Sequence, residues 1–517
     1  MIMKENRIFI LTVALFVLLA SSCSDKNDDD YDRDKDKDKD KLTQNEKINN
    51  WIYDEMSFQY YWNTEIPQKN TLNFDSKPDD FFSSLIYNYD TPTGDRFSYM
   101  EKNDVPYFPT SKGVSASSST KHNDIGFSYL NYNFTDGSVV LFVNYVKPNS
   151  KADLQKNGIK RGDIINRING TSLTRDNYLS LIHSGKSSME LEFENRAGSL
   201  VVEATPIYTE NPILLEDIIP FEGKKVGYIV YNFFANDNGD ESYDYAVELN
   251  KIFEKYSSKR IDELILDFRY NGGGYVESGT YIASAIVPNR NSTGVKIYTQ
   301  REYNKEFDAY LKTMSNYDEL KHEYFADKIG RKSNIKEDVS RLEMKLLYVI
   351  TSDRTASASE QIINGLGGGQ YVDVQIIGQT TTGKNMESFE IKDEENKDND
   401  WILHPLTSIS FHSKAKTSKE NLYYGGFEPT YGGEVLEGAT IENQGGYRVL
   451  TFDKVVYPLG DPQEKLLAMA LNSIAGRPAP MVRSMKGTMG QGRTLTNEQL
   501  KSSLDFNPRG MIIDIKK

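Results

Sequence analysis

The chain has 517 residues, too many for one typical domain, so about three folded units are expected. It contains 33 tyrosines and 24 phenylalanines, which supply enough apolar surface for a sizeable core although the average composition is polar. The formal net charge of −14 argues against nucleic acid as a partner, because phosphate binding needs an excess of basic residues.

The beginning of the chain is typical of an export signal. Two basic residues precede an apolar run over residues 8–20, which is too short to span a bilayer but fits the core of a signal peptide at residues 1–22. Cys23 is the only cysteine, so no intramolecular disulfide can form. Its place directly after two serines resembles a bacterial lipobox, which implies a lipid anchor at Cys23. The alternative is an ordinary signal peptide with an incidental cysteine.

A charged tract follows, and with the lipidated cysteine it forms a predicted tether over residues 23–42. Alternating Asp and Lys cannot bury apolar surface, so this stretch should be solvated and disordered. Acidic residues after a lipobox also resemble the surface-export signal of Bacteroidetes lipoproteins, and a plain spacer is an equal alternative. Together these features predict an exported protein that is lipid-anchored to the outer membrane, on its periplasmic or cell-surface face.

Residues 43–112 predict a small helical domain. Ile48, Ile52 and Met56 recur at helical spacing, and no catalytic constellation is visible in this region. The Ser-x-x-Lys string at residues 118–121 lies in a serine-rich run and is interpreted as a loop.

Residues 113–207 change to short strands and turns, which predicts a mostly β domain. The run Gly-Ile-Lys-Arg-Gly-Asp-Ile-Ile at residues 158–165, followed by Ile-Asn-Gly at 168–170, resembles a PDZ domain. The resemblance implies that a peptide adds to this domain as a strand, beside a helix at residues 178–182. The residues implied in the loop that receives the peptide carboxylate are Ile125, Gly126, Phe127 and Ser128. A PDZ domain used only for contacts within the chain is the alternative.

Residues 208–480 alternate strands with helices, which favours an α/β core with parallel strands and helical crossovers. The predicted segments are strands at 225–230, 264–269, 346–350 and 374–377, and a helix at 243–256.

Ser357 lies between a predicted strand and a predicted helix, at the helix N-terminus. Unpaired N–H groups and partial positive charge at that end suit an oxyanion forming beside a nucleophile. A serine needs a base, and a lysine serves only when neutral, a form that burial favours. Lys384, in Thr-Thr-Gly-Lys, is the candidate base. Taken alone, the serine segment also fits an ordinary helix cap.

Three glycines, residues 272–274, end the predicted strand that carries Asp267 and Arg269. Because glycine N–H groups can approach a ligand oxygen closely, Gly272 and Gly273 are candidates for half of an oxyanion hole, with the Ala358 N–H as the other half. Asp267 and Arg269 are interpreted as a structural ion pair in preference to catalytic groups.

These motifs together resemble the C-terminal processing (tail-specific) serine peptidase family. The matching elements are Leu-Asp-Phe-Arg-Tyr-Asn-Gly-Gly-Gly, Ser-Ala-Ser-Glu, the later Gly-Lys, Gly-Gly-Phe-Glu-Pro and Asp-Pro-Gln, within about residues 113–475. The resemblance implies a crotonase/ClpP-like α/β catalytic core after the PDZ domain, with Ser357 as nucleophile and Lys384 as general base. Glu360, one helical turn after the serine, either helps to orient the site or belongs to the helix cap.

The sequence departs from the family pattern around the lysine. Asn385 stands where a glycine is common, and Ser388 stands where the family often has a glutamine. Thr430 replaces an aspartate commonly found after the Glu-Pro element. The third group that orients the lysine is therefore an open question, and Ser388 is one candidate for it.

Metal and cofactor chemistry are not expected. The five histidines have neither metal-ligand spacing nor a place near the serine motif. Residues 481–517 are predicted to form an irregular tail, with Pro478, Pro480, Gly487 and Gly490 around its start.

The resulting hypothesis is an exported, lipid-anchored serine endopeptidase. Its partners would be protein or peptide substrates with free C-termini, bound by the PDZ domain and cleaved near the tail, and the membrane through Cys23. The alternative is a catalytically inactive lipoprotein that binds tails in the PDZ groove. A crotonase-like acyl-CoA enzyme fits poorly, because export separates the protein from cytosolic CoA. Neither the substrate nor the oligomeric state follows from the sequence.

Overall fold

The structure is a computed structural model. It describes residues 42–89, 91–102, 123–206, 208–238, 244–290, 292, 294–329, 337–478, 492–497, 500–506 and 511–513. The predicted signal peptide, Cys23, nearly all of the tether and the Ser-x-x-Lys string lie outside these residues. Within the described ranges, no helix is long and apolar enough to cross a bilayer.

The first described region is largely helical. It contains helices α1 (Gln44–Gln59) and α2 (Pro78–Ser84) and strand β1 (Tyr99–Lys102). Helix α1 begins where the Thr43 hydroxyl accepts the Glu46 N–H and the Glu46 carboxylate accepts the Thr43 N–H. Its predicted apolar face is buried against α2, so the helical spacing identified the correct face.

The region predicted as a PDZ domain folds around an antiparallel sheet. Its elements are β2 (Asn123–Asp124), β3 (Phe127–Asn133), β4 (Val139–Val146), α3 (Lys151–Leu154), β5 (Ile164–Ile168), β6 (Thr171–Ser172), α4 (Tyr178–Ile182), β7 (Ser188–Phe193), β8 (Ser199–Glu203) and β9 (Thr205–Pro206). In the described part the order is β3-β4-β5-β7-β8, so β3 is an edge strand. Asn169 and Gly170, with φ values of 49° and 74°, form the tight turn between β5 and β6.

The next region alternates strands and helices, as the sequence predicts. Its elements are β10 (Ile213–Phe221), β11 (Lys224–Tyr231), α5 (Tyr245–Lys259), β12 (Glu263–Asp267), β13 (Gly274–Tyr275), α6 (Val276–Ile286), β14 (Ile297–Tyr303), α7 (Lys305–Leu311), α8 (Tyr317–Lys321), β15 (His322–Tyr324), β16 (Lys328–Ile329), β17 (Glu337–Asp338), β18 (Leu346–Thr351), α9 (Ala358–Ile363) and β19 (Asp373–Gly378).

The central sheet of this region has the order β10-β11-β12-β18-β19 among the described strands. Strands β11, β12, β18 and β19 are parallel, and β10 is antiparallel to β11. Because the carboxyl ends of parallel strands meet at one edge of a sheet, the segments that follow β12, β18 and β19 come together there. These segments carry the glycine loop, Ser357 and Lys384.

The remaining elements are α10 and strands of three further sheets in the described part, of which the second sheet of the core is the largest. They are β20 (Met386–Phe389), β21 (Ile391–Lys392), β22 (Trp401–His404), β23 (Leu406–His412), β24 (Ala439–Gln444), β25 (Tyr447–Phe452), α10 (Lys465–Ile474), β26 (Arg493–Thr494) and β27 (Met511–Ile513). The second sheet has the order β13-β27-β20-β23-β14-β15 in the described part. Strand β1 pairs with β22, so the first region is attached to this half of the molecule. The chain is thus a mixed α/β protein with several sheets.

Two short strands lie within the predicted irregular tail. Strand β26 pairs with β25, and β27 lies between β13 and β20. Segments of two or three residues carry no periodic pattern of their own, and their partners are distant in sequence, so local propensity cannot identify them as strands.

A buried cluster of charges joins the region from β2 to β9, predicted as a PDZ domain, to the core. The Arg269 guanidinium contacts Asp267 at 2.6 Å, Glu464 at 2.8 Å and Glu437 at 2.9 Å. Arg161, from the Gly-Ile-Lys-Arg-Gly run, contacts the same two glutamates at 3.0 and 3.3 Å. The predicted pair of Asp267 and Arg269 is therefore one part of a larger network. Because unpaired charges are costly inside a protein, this network holds only when its partners are all present.

Glu464 provides a pH test of the network. Burial alone raises the pKa of Glu464, but Arg269 and Arg161 outweigh burial and hold this pKa at about 2, below the usual 4.5. A depressed carboxyl pKa contributes stability that is present above 4.5 and is lost as the pH falls toward 2. We therefore expect Glu464→Gln to lower the free energy of unfolding at pH 7 by about 3 kcal/mol. Urea unfolding at several pH values measures this, and the variant should lose less stability than the wild type below pH 4.5. The exposed Glu254→Gln on α5 is the control, and an equal loss in both variants would contradict the prediction.

Candidate active site

Ser357 lies in the turn between β18 and α9, directly before the first residue of the helix. Its backbone has φ 64° and ψ −117°, a region that a residue with a side chain adopts only under strain. The residue is 0 % exposed, and its Oγ has no hydrogen-bond partner among the described residues. The serine turn thus combines a strained backbone with a capping-box arrangement in which Glu360 accepts the Ser357 N–H.

Lys384 lies in the loop between β19 and β20. The preceding Gly383 has φ +84°, and a Cβ there would lie 2.2 Å from the Tyr424 carbonyl oxygen, so only glycine fits this turn. Lys384 is 2 % exposed, and its Nζ lies 5.0 Å from the centre of the Phe97 ring. The ring comes from the first, largely helical region and covers the amine from one side.

Glu360 connects the serine turn to the lysine loop. Its Oε2 accepts the N–H groups of Ser357 at 2.9 Å and Lys384 at 2.8 Å. Its Oε1 accepts the Gly383 N–H at 2.7 Å and the Thr381 hydroxyl at 2.5 Å. Burial raises the pKa of Glu360, and these four bonds oppose that rise. The carboxylate therefore holds the backbone of the nucleophile candidate, Ser357, close to the backbone of the base candidate, Lys384.

Asn271 holds the glycine loop against the serine turn. Its carbonyl oxygen accepts the Ala356 N–H at 3.1 Å, and its side-chain oxygen accepts the Gly273 N–H at 2.9 Å. The Gly273 N–H is thus engaged in this conformation. Of the three predicted oxyanion donors, Gly272 and Ala358 are the better candidates here, because an N–H that already bonds a side chain must be released before it can bind an oxyanion.

The two departures beside the lysine lie in buried positions. Ser388 is in β20, in register with Leu406 of β23. Both polar atoms of the Asn385 side chain are buried without a hydrogen-bond partner in the described part of the chain. Polar atoms in this state are costly unless water or a ligand satisfies them, which makes Asn385 a further group of interest beside Lys384.

The predicted carboxylate loop lies at the start of edge strand β3. Gly126 has φ +81°, and its N–H donates to the Asp124 carboxylate at 2.7 Å. Ile125 is half-buried and Phe127 is buried in the core of this sheet. The Ser128 hydroxyl lies 2.8 Å from the Ser503 hydroxyl. These four residues belong to a different sheet from Ser357 and Lys384.

Three residues that shape the candidate site were not predicted from the sequence. Thr381 and Asn271 lie inside the motifs that carry Lys384 and the glycine loop. Their polar side chains were the only indication that the sequence offered for them. Phe97 had no indication, because a single aromatic residue in a distant region does not reveal its tertiary neighbour.

The structure gives no metal centre in the described residues, where no group of three or more His, Cys, Asp or Glu side chains is placed to hold an ion. His183 contacts the Tyr129 hydroxyl at 3.1 Å, and His404 lies 3.3 Å from Glu101. His122 lies outside the described residues.

Two separate segments of the chain match known protein families. Residues 225–418 match peptidase family S41, and residues 47–99 match the peptidase S41 N-terminal domain. The chain carries peptidase S41 domains. The glycine loop, Ser357, Glu360 and Lys384 all fall within the first match. The predicted resemblance to serine peptidases of the C-terminal processing type is confirmed at the level of the family.

Individual relatives and solved structures are similar to this chain over different shares of its length. The carboxy-terminal processing protease CtpB of Bacillus subtilis (strain 168) is 25% identical over 292 residues, which are 55% of this chain and 50% of CtpB. The chain thus spans about half the length of this curated relative. A solved structure from Bacteroides fragilis NCTC 9343, assigned to the S41 proteases, is 21% identical with a TM-score of 0.59, over 82% of this chain and 97% of that chain. This likeness establishes the shared fold. The photosystem II D1 C-terminal processing protease is 15% identical with a TM-score of 0.41, over 75% and 92% of the two chains.

Replacing Glu360 by Gln tests its role in joining the two loops. Because all four contacts are donors, an amide NH₂ in place of one oxygen faces two donors and leaves them unsatisfied. We expect the free energy of unfolding to fall by about 2–4 kcal/mol, measured by urea denaturation. Glu420→Gln is the matched control, since Glu420 also accepts a backbone N–H but is exposed. A loss no larger than that of the control would contradict the proposed contacts.

Proposed function

We propose that this protein is a serine endopeptidase in which Ser357 is the nucleophile and Lys384 the general base. The observation that carries the proposal is the pair of bonds from Glu360 to the N–H groups of both residues. These bonds bring two residues from different loops to one buried carboxylate, and both loops follow parallel strands at the same sheet edge. The S41 match over this segment supports the same assignment.

The reaction starts with a proton transfer. A neutral Lys384 amine accepts the Ser357 hydroxyl proton while Oγ attacks the substrate carbonyl carbon, and the protonated amine then gives that proton to the leaving amine. Water subsequently hydrolyses the acyl-enzyme, again with Lys384 as base. This role requires a neutral amine, and Lys384 is 2 % exposed in the structure.

The developing oxyanion needs fixed N–H donors. The Ala358 N–H, at the first turn of α9, and the Gly272 N–H, in the loop after β12, are the proposed pair, with Gly273 joining if Asn271 releases it. Asn271 sets the distance between the two loops through its bond to Ala356. In this assignment Glu360, Asn271 and Phe97 are positioning residues.

Substrates are proposed to be proteins or peptides with free C-termini. The region from β2 to β9 supports a PDZ-like role, because β3 is an edge strand with helix α4 beside its sheet. A substrate tail would add to β3 as a further strand, with its carboxylate near Ile125, Gly126, Phe127 and Ser128. The crotonase/ClpP-like architecture of the core and the absence of a cofactor from the reaction are parts of the same proposal.

The dyad is tested with two alanine variants. Ser357→Ala and Lys384→Ala should each lower the rate of cleavage of an unfolded protein substrate by about a thousandfold or more while the melting temperature stays close to the wild type. Exposed Lys419→Ala is the control and should retain activity. Turnover by purified Ser357→Ala at a similar rate to the wild type would refute the assignment.

A fluorophosphonate probe separates the enzyme from a tail-binding protein without activity. The enzyme predicts covalent labelling at Ser357 that Lys384→Ala abolishes, read by mass spectrometry of the labelled peptide. A wild-type chain that binds tail peptides and resists the probe would support the binding protein instead.

We also propose that the protein is exported and lipid-anchored at Cys23, in the outer membrane. The support is the apolar run followed by a lone cysteine and a charged tract. Cys23→Ser should move the protein from the membrane fraction to the soluble fraction, as measured by ultracentrifugation and immunoblotting. An unchanged membrane share would argue against the anchor, and labelling with an alkyne fatty acid provides an independent readout.

A further inference from the structure

The proposed catalytic pair is closed to solvent in this structure. Ser357 is 0 % exposed and Lys384 is 2 % exposed. A polypeptide must reach both residues, so some part of the molecule has to leave before a substrate can bind. Two described pieces of the chain, Leu500–Phe506 and Met511–Ile513, lie where a substrate would run, and together they are called the late segment.

The second piece of the late segment is strand β27, which fills a slot with a strand on each side. On one side, Met511 is in register with Gly274, the residue after the predicted oxyanion glycines. On the other side, Ile512 is in register with Ser388, four residues after Lys384. Backbone pairing on both sides requires only an extended chain with free N–H and C=O groups. The slot therefore suits any extended polypeptide, and it passes between the two proposed halves of the active site.

The first piece covers the groove that the PDZ-like region would offer to a substrate tail. The Ser503 hydroxyl accepts the Tyr129 N–H at 2.7 Å and donates to the Tyr129 carbonyl at 2.9 Å. These backbone groups belong to edge strand β3, and they bond Ser503 in place of a further strand. On the helix side, the Tyr178 hydroxyl of α4 donates to the Lys501 carbonyl at 3.0 Å. The piece thus lies between β3 and α4, in the place proposed for a bound peptide.

A cavity of about 280 Å³ lies beside β3 and the first piece of the late segment. One side is formed by Arg354, three residues before Ser357, and another by Leu130 and Tyr132 of β3. Leu500 and Leu504 of the late segment form part of its wall. The space between the PDZ-like region and the serine turn is therefore bounded by the late segment.

We propose that the late segment is an intramolecular occupant of the substrate path, held in place of an extended polypeptide substrate in both the β3–α4 groove and the β13–β20 slot. This proposal rests on the proposed peptidase function. The occupancy of the groove and the slot, however, can be measured as binding, without catalysis. A substrate gains access by displacing β27, and the rate of that displacement limits the reaction of Ser357.

Ile512→Pro is the variant that weakens the occupant. Proline has no N–H and is excluded from central strands, and β27 is central between β13 and β20. Ile512→Val keeps the N–H and a β-branched side chain, so it is the matched control. With a fluorophosphonate probe, we expect Ser357 in the Ile512→Pro chain to be labelled at least about tenfold faster than in the wild type or the valine variant. Adding a synthetic peptide of residues 500–517 should restore the slow rate.

A second readout does not depend on catalysis. In a Ser357→Ala background, a fluorescein-labelled peptide of residues 500–517 should bind the Ile512→Pro chain and not the Ile512→Val chain, as measured by fluorescence anisotropy. Should the proline chain fail to melt cooperatively, Ser503→Ala, which removes the bonds of the first piece to Tyr129, is compared with the wild type in the same two measurements.

The outcomes distinguish the two proposals. Equal labelling rates and equal peptide binding in the proline and valine chains overturn the occupant proposal and make β27 a permanent strand of its sheet, while labelling of Ser357 leaves the peptidase standing. Peptide binding that differs between the chains, without labelling of Ser357 in any of them, supports the occupant and refutes the peptidase.

Discussion

The Glu360 carboxylate is the interaction on which the arrangement of the site depends. Ser357 follows β18 and Lys384 follows β19, so parallel pairing brings their loops to the same sheet edge but does not determine their relative height or orientation. Four donors from the two loops converge on one buried carboxylate, and charge-assisted bonds of this kind are short and directional. The strained backbone of Ser357 persists because its N–H is one of those four donors.

A second buried group of charges connects the region from β2 to β9 to the core. Arg269 lies at the end of the strand that leads to the glycine loop, and it shares Glu437 and Glu464 with Arg161. Glu464 also caps α10 through the Leu467 N–H. Displacement of Arg161 would leave charges unpaired in a buried place, so the region from β2 to β9 and the base of the glycine loop are energetically coupled. The proposed binding of a tail at β3 would therefore act on a region with a direct connection to the core.

The closed state follows from contributions by distant segments. Phe97 covers the lysine from the first region, and β27 lies beside both proposed catalytic loops from the other end of the described chain. The late segment occupies one surface proposed for tail recognition and another proposed for the scissile strand. Recognition and cleavage would then be controlled by one competition between the late segment and the substrate, so that a single element sets both affinity and rate.

The sequence by itself determined the α/β class, the strand over residues 346–350 and the motifs that carry Ser357 and Lys384, because these depend on local periodicity and on side-chain chemistry. It left Glu360 undecided between orientation and capping, since a carboxylate one turn after a serine satisfies both patterns. Only the tertiary structure placed that carboxylate on the Lys384 N–H, engaged the Gly273 N–H with Asn271, and inserted β27 between two strands. Each of these depends on backbone groups, which every residue possesses, meeting partners that are remote in sequence, so side-chain pattern alone cannot identify them.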